Sequence, residues 1–178
     1  MEKYSAMNEE KIPIPAFTDE AARNLAEWAE LSARTEDPEL AAWMQTISAP
    51  THDTHALLLA IFGNSPYLSR LLLQYPQIFY QALVQGFDVV HARILAAVST
   101  PDEASDEKTE LMRRLRITKA KLALLVAIAD ISGKWQVEQV TGALSGFAEL
   151  CLIQVVNYLL LSAEKRGEVT LTPGNPSE

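Results

Sequence analysis

LMRRLRITKAKLALLVAIADISGKW, residues 111–135, is the stretch whose reading decides the fold. Apolar residues recur at Leu111, Leu115, Leu122, Leu125 and Ala129, with Thr118 in line, a three-and-four spacing that keeps one side of a helix oily. Arg113, Arg114, Arg116, Lys119 and Lys121 lie largely off that stripe. Gly133-Lys134-Trp135 interrupts the pattern, and from Gln136 it resumes through Val137, Val140, Leu144, Phe147, Cys151, Val155 and Leu159. Two long amphipathic segments around a glycine corner read as a helical hairpin.

The rest of the composition agrees with helices. At 178 residues, 48% of them hydrophobic and only seven glycine, the chain is long enough for one domain with a real core and poor in the turn residues of a sheet protein. The expected fold class is all-α, a multi-helix bundle of about seven to eight helices with a long C-terminal helical hairpin. The expected organisation is a flexible lead-in over residues 1–17, a helical domain over 18–166 and a linker over 167–178.

Charge and cysteine usage narrow the function classes. A formal charge of -8 argues against a general nucleic-acid binder, which needs clustered bases to neutralise phosphate. The single cysteine, Cys151, forms no internal disulfide and suits a reducing cytoplasm. The opening MEKYSAMNEEKIPIP has no apolar core of a secretory signal. The longest uncharged stretch of the last helix, Leu150 to Ala163, contains Gln154 and Asn157 and is shorter than the ~20 apolar residues of a membrane span, so no membrane role is expected.

Upstream of the hairpin the punctuation is local. Asp19 to Arg34 offers Ala22, Leu25, Ala26, Trp28 and Ala29 as a helical face. Asp37-Pro38 opens a second helix with Leu40, Trp43, Met44 and Ile47 inward, and Pro50 closes it. Thr51 to Phe62 is apolar on all sides and reads as a central helix, with Thr51 or Asp53 as its cap. At the corner Gly63-Asn64-Ser65-Pro66, Gly63 is expected to adopt the left-handed conformation, Ser65 to cap and Pro66 to start the next helix. Further helices follow over Pro66–Gln74, from Pro76 to Gly86 and over Asp88–Val98. The acidic DEASDEKTE then opens the long basic helix, so acids occupy its positive end. Gly142 and Gly146 mark a place where another helix could approach closely.

Candidates for chemistry are few. His52, Asp53 and His55 sit at metal-ligand spacing but lack a third and fourth partner, and a polar first turn accounts for them. His91 stands alone on its helix. The bases Arg113, Arg114, Arg116 and Lys119 suit a phosphate, an acidic protein surface or the acids of neighbouring helices. Asp130, inside VAIADISG, calls for a partner or a place at the margin of the apolar surface. No nucleophile and base stand at a telling spacing, and Gly63-Asn64-Ser65 lacks the length and the lysine of a phosphate loop. Catalytic, cofactor-binding and metal residues are therefore expected to be absent from this chain.

FGNSPYLSRLLLQYPQIF at 62–79, then residues 111–135, then VTGALSGFAELCL at 140–152, together and in this order, resemble the N-terminal part of the bifunctional glutamine synthetase adenylyltransferase/adenylyl-removing enzyme family, also called glutamate-ammonia ligase adenylyltransferase. The similarity covers about residues 50–166. In that family a linker leads on to a nucleotidyltransferase domain with a glycine-rich segment and a D-x-D pair that holds magnesium. This sequence contains neither G-S nor D-x-D and stops at TPGNPSE.

The resemblance implies a truncated piece of a cytoplasmic, multifunctional transferase of nitrogen regulation. One half of such an enzyme removes AMP from a tyrosine of glutamine synthetase by phosphorolysis, and the other attaches AMP from ATP. Magnesium and ATP or ADP are implied for the parent and none for this chain. The implied partners are glutamine synthetase, the PII signalling protein and, in cis, the missing nucleotidyltransferase domain. On this reading the helices flank the AMP-removing half and are inactive alone. A freestanding helical adaptor whose basic helix binds an acidic partner is the alternative, and a place before the second catalytic half is a third.

Overall fold

The computed structural model describes residues 12–99 and 108–170. Their regular structure is helical throughout, in eight helices: α1 (Thr18–Arg34), α2 (Pro38–Ile47), α3 (His55–Asn64), α4 (Pro66–Gln74), α5 (Pro76–Gln85), α6 (Phe87–Ser99), α7 (Lys108–Ile131) and α8 (Val137–Lys165). This is the expected all-α bundle, and its last two helices form the expected hairpin.

The boundaries follow from side-chain chemistry. Asp37 accepts from the backbone N–H of Glu39 at 3.0 Å and Leu40 at 3.2 Å, which satisfies orphan donors at the start of α2. Ser65 does the same for Leu68 at 3.2 Å, ahead of Pro66 in α4. Gly86 (φ 96°) ends α5 and Gly133 (φ 65°) ends α7, both in the left-handed region that a side chain would strain. At the start of α8 the Gln136 N–H donates to the Gln139 side-chain oxygen at 3.1 Å, the returning arm of a capping box.

Three boundary readings change. The third helix starts at His55 rather than Thr51. The turn before it is held by His52, whose Nδ1 accepts from Thr54 N–H at 3.1 Å, so neither Thr51 nor Asp53 is its cap. Gly63 is not left-handed: it lies inside α3, where a Cβ would stand 2.6 Å from that of Pro15. Its smallness admits the lead-in instead. Asn64 holds the same strap, donating to the Ile14 carbonyl at 3.1 Å and accepting from Ala16 N–H at 2.9 Å, while Phe17 N–H donates to the Gly63 carbonyl at 3.0 Å.

The core is built on an aromatic line. Trp28, fully buried, stands edge-on to Phe62 (centroids 6.1 Å) and Trp43 (6.4 Å), and Trp43 meets Phe79 at 5.3 Å. The Trp28 indole N–H, which burial would otherwise strand, donates to the Met44 carbonyl at 3.2 Å. Leu57, Leu58, Leu72, Leu122, Leu124 and Leu125 complete the interior, each contributing roughly 1.5–3 kcal/mol by leaving water. The α7 stripe is as read: Thr118, Leu122, Leu125 and Ala129 are buried, with Leu111 and Leu115 half-buried toward its exposed beginning.

Two helix faces are rotated from expectation. In α1, Ala22, Ala26 and Ala29 are exposed, and Ala21, Trp28 and Ser32 point inward. In α8, only Ala143 and Phe147 are buried; Val140, Leu150 and Cys151 are half-buried, whereas Val137, Leu144, Val155 and Leu159 lie in solvent. The helix is apolar almost all round, so spacing alone does not choose its inner face. At 29 residues, with little of its length buried, α8 is long and apolar enough to cross a membrane by length and composition, contrary to the reading from its uncharged stretch. No other helix of the described residues is. The acidic stretch up to residue 107 lies outside the described residues.

Candidate functional site: the basic side of α7 and the edge of α8

The corner Gly133-Lys134-Trp135 sets how the hairpin sits. Trp135 is buried and its indole N–H donates to the carboxylate of Asp88 at 3.1 Å, while its ring meets Phe87 at 6.2 Å and stands edge-on to His91 at 5.6 Å. Both interactions reach the first turns of α6. His91 is thus a packed ring, its Nε2 buried and without a hydrogen-bond partner among the described residues. The Trp135–Asp88 bond escapes sequence reasoning because its partners are 47 residues apart.

From that anchor α7 carries its bases in two directions. Arg113, Arg116 and Lys119 recur every three residues and are all exposed. Arg113 pairs with Glu110 one turn earlier, its Nε donating at 2.7 Å. That bond holds the Glu110 carboxyl below its ordinary range and raises the guanidinium. Arg114 points elsewhere: it is half-buried and donates to the Val98 carbonyl at 3.0 Å, capping the end of α6. Its Nε is buried without a partner among the described residues. Lys121 lies 5.6 Å from the centre of the Tyr75 ring. The interface candidates therefore divide, with Arg114 bound into the fold and Arg113, Arg116 and Lys119 left on the surface.

Asp130 is exposed at the far end of α7, at the margin of the apolar surface, and its backbone carbonyl accepts from Gly133 N–H at 2.9 Å. Cys151, on α8, is half-buried. Burial pushes its thiol up, and the Lys119 charge on α7 acts in the opposite sense.

Two grooves open elsewhere. One of about 500 Å³ lies between α1 and α4, lined by Glu20, Arg23, Asn24, Glu27, Ser69 and Arg70 among others; its buried Ser69 hydroxyl is bonded to the Ser65 carbonyl at 2.9 Å. The other, about 250 Å³, lies among α5, α6 and α7 with Arg93, Thr118 and Lys121 on its wall. Neither wall carries a histidine or a cysteine. His52, Asp53 and His55 do not converge on an ion, since His52 is engaged with the backbone and Asp53 is exposed. Among the described residues no group of three or more His, Cys, Asp or Glu could hold a metal ion. Among the described residues the hairpin presents exposed cations on α7 and a largely exposed apolar face on α8.

Comparison with known proteins bears on the same helices. A family model described as glutamate-ammonia ligase adenylyltransferase matches residues 55–177, from the start of α3 through α8. The chain is 35% identical over 163 residues to the bifunctional glutamine synthetase adenylyltransferase/adenylyl-removing enzyme of Rhodopseudomonas palustris (strain HaA2), covering 89% of this chain and 15% of that enzyme. It is 33% identical over 152 residues to the protein of the same name from Bradyrhizobium sp. (strain BTAi1), covering 85% and 15% respectively, and 28% identical over 144 residues to that of Brucella suis biovar 1. The chain thus spans about 15% of the length of the first two relatives. No solved structure matches. The match runs through the G-N-S-P corner, the basic helix and the glycine-bearing start of α8, and by it the chain belongs to the glutamate-ammonia ligase adenylyltransferase family.

Proposed function

We propose that these helices form the N-terminal helical segment of an enzyme that adenylylates and deadenylylates glutamine synthetase in nitrogen regulation. The segment flanks the AMP-removing nucleotidyltransferase half and carries no catalytic group of its own. The observation that carries this reading is the family match over residues 55–177, in a chain spanning about 15% of its relatives. The parent enzyme works in the cytoplasm on glutamine synthetase, which its relatives' name supplies, and receives nitrogen status through the PII signalling protein.

Phosphoryl chemistry of this type needs magnesium to neutralise charge on the nucleotide, with ATP as AMP donor and ADP formed on phosphorolysis. The described residues do not fit that ion, for want of a carboxylate cluster, so no step is assigned to them. Their part is to complete and support the domain that bears the chemistry.

The test is direct. Incubated with glutamine synthetase, labelled ATP and magnesium, the purified chain should transfer no AMP. With adenylylated glutamine synthetase, phosphate and magnesium it should release none. Turnover in either assay would overturn the assignment of catalysis to another part of the polypeptide. Calorimetric binding of glutamine synthetase or PII, lost on changing the exposed Arg113, Arg116 and Lys119 to Glu, would give the segment a docking role; the adaptor alternative draws on the same bases and an acidic partner other than these.

A further inference from the structure

The most anomalous surface of the molecule is the outer half of α8. Leu144, Val155 and Leu159 repeat at core spacing with Phe147 and Cys151, yet Leu159 is 57% exposed and its neighbour Leu152 67%. A row of large apolar side chains left in water is costly at about 25 cal/mol per Å², and such a patch on a folded domain marks a contact surface. The row lies on one arm of the hairpin, and the other arm, α7, which packs against it, carries the exposed cations Arg113, Arg116 and Lys119. On the helix's other flank nothing among the described residues, apart from the adjoining backbone of α8 itself, comes within 4 Å of where a Cβ of Gly142 or Gly146 would stand, which leaves room for a backbone to approach.

Charge selects the occupant. A second copy carries its own net charge of -8 and its own basic row, so copies repel at long range and set like charges together at short range. A membrane would have to take in Glu149, Gln154 and Asn157 with the leucines. The remaining chain of the adenylyltransferase is different: the matched relatives are several times longer than the segment they share with this chain, and the family match includes α8 in full. We infer that the edge of α8 from Leu144 to Leu159, with the exposed Arg113, Arg116 and Lys119 on the adjoining arm of the hairpin, seats an apolar, acid-flanked helix from the rest of the adenylyltransferase polypeptide. The inference rests on the family reading above and identifies the surface through which the segment joins the enzyme.

The experiment uses a whole enzyme. The matched segment of the Rhodopseudomonas palustris (strain HaA2) protein is replaced by this chain, and adenylyl removal and melting temperature are compared with those of the same chimera carrying Val155→Asp and Leu159→Asp. Both positions are exposed, so the isolated chain with these changes should keep its melting temperature and helical circular dichroism. The expected result is an active chimera that loses at least tenfold in activity and melts earlier with the two aspartates, and a smaller, salt-sensitive loss with Arg116→Glu and Lys119→Glu. An active chimera indifferent to the aspartates overturns the docking surface and leaves the family reading standing. A folded but inactive unmodified chimera overturns both. Dimerisation of the isolated chain in light scattering, or its sedimentation with phosphatidylglycerol vesicles, abolished in either case by the aspartates, would give the surface to another occupant and overturn the inference.

Discussion

Gly63 illustrates what a single residue can hide. As a glycine before a capped proline it reads as a left-handed helix end, but it is a helical residue chosen for its missing Cβ, beneath Pro15. The motif was legible in the sequence and its partner was not, because nothing local reveals which segment will lie across it. Gly63→Ala should gain up to about 1 kcal/mol of helix propensity and lose about 1–3 kcal/mol to overpacking, a net destabilisation read by urea denaturation. Asn64→Ala removes three bonds, to Ile14, Ala16 and Ala60, and should cost about 1–3 kcal/mol with faster proteolysis near residues 12–17. Glu110 gives a signed pH prediction. Its carboxyl is held low by Arg113, so its stabilising contribution is present above the ordinary carboxylate pKa and is lost as the pH falls through the lowered one. Glu110→Gln should therefore lower the urea midpoint slightly at pH 7 and leave it unchanged at pH 2, and because the pair is exposed, added salt should shrink the difference.

At the scale of elements, legibility tracked how much polar contrast each helix carries. Asp37-Pro38, Ser65-Pro66 and Gly86 fixed their boundaries through local capping bonds or one backbone conformation, and α7 displayed its inner stripe because bases mark its other side. The alanines of α1 gave no such contrast: three of them face solvent while Ala21 faces the core. In α8 apolar residues surround the axis, so periodicity could not name the face that packs. The same pattern predicts mutational outcomes. Leu124→Ala, at a fully buried position of α7, should cost about 2–5 kcal/mol by leaving a cavity, and Leu152→Ala on α8 should stay within about 0.5 kcal/mol in the isolated chain. Calorimetric melting of the two variants checks both values.

At the scale of the molecule, one interior runs from the aromatic line of α1, α2, α3 and α5 to the second half of α7, and α8 joins it mainly through Ala143 and Phe147. Candidate interface residues were visible as composition, yet only the packed chain separates Arg114, spent on the Val98 carbonyl, from Arg113, Arg116 and Lys119. Cys151 offers a readout of this arrangement. With its thiol pushed up by burial, it should react with a disulfide reagent at pH 8 several-fold more slowly than a free cysteine peptide and recover the peptide rate in 6 M urea.

The strap over Gly63 also carries information about time. Its bonds join residues 48 and 50 positions apart, across three helices that can form and pair without it, so closing it rewards the chain only once the α3–α4 corner exists. We predict that these contacts form after the folding transition state. Weakening them should speed unfolding while leaving the refolding rate nearly unchanged, so Asn64→Ala should steepen the escape from the native state without slowing the way in. The lead-in is then a latch on the lifetime of the fold.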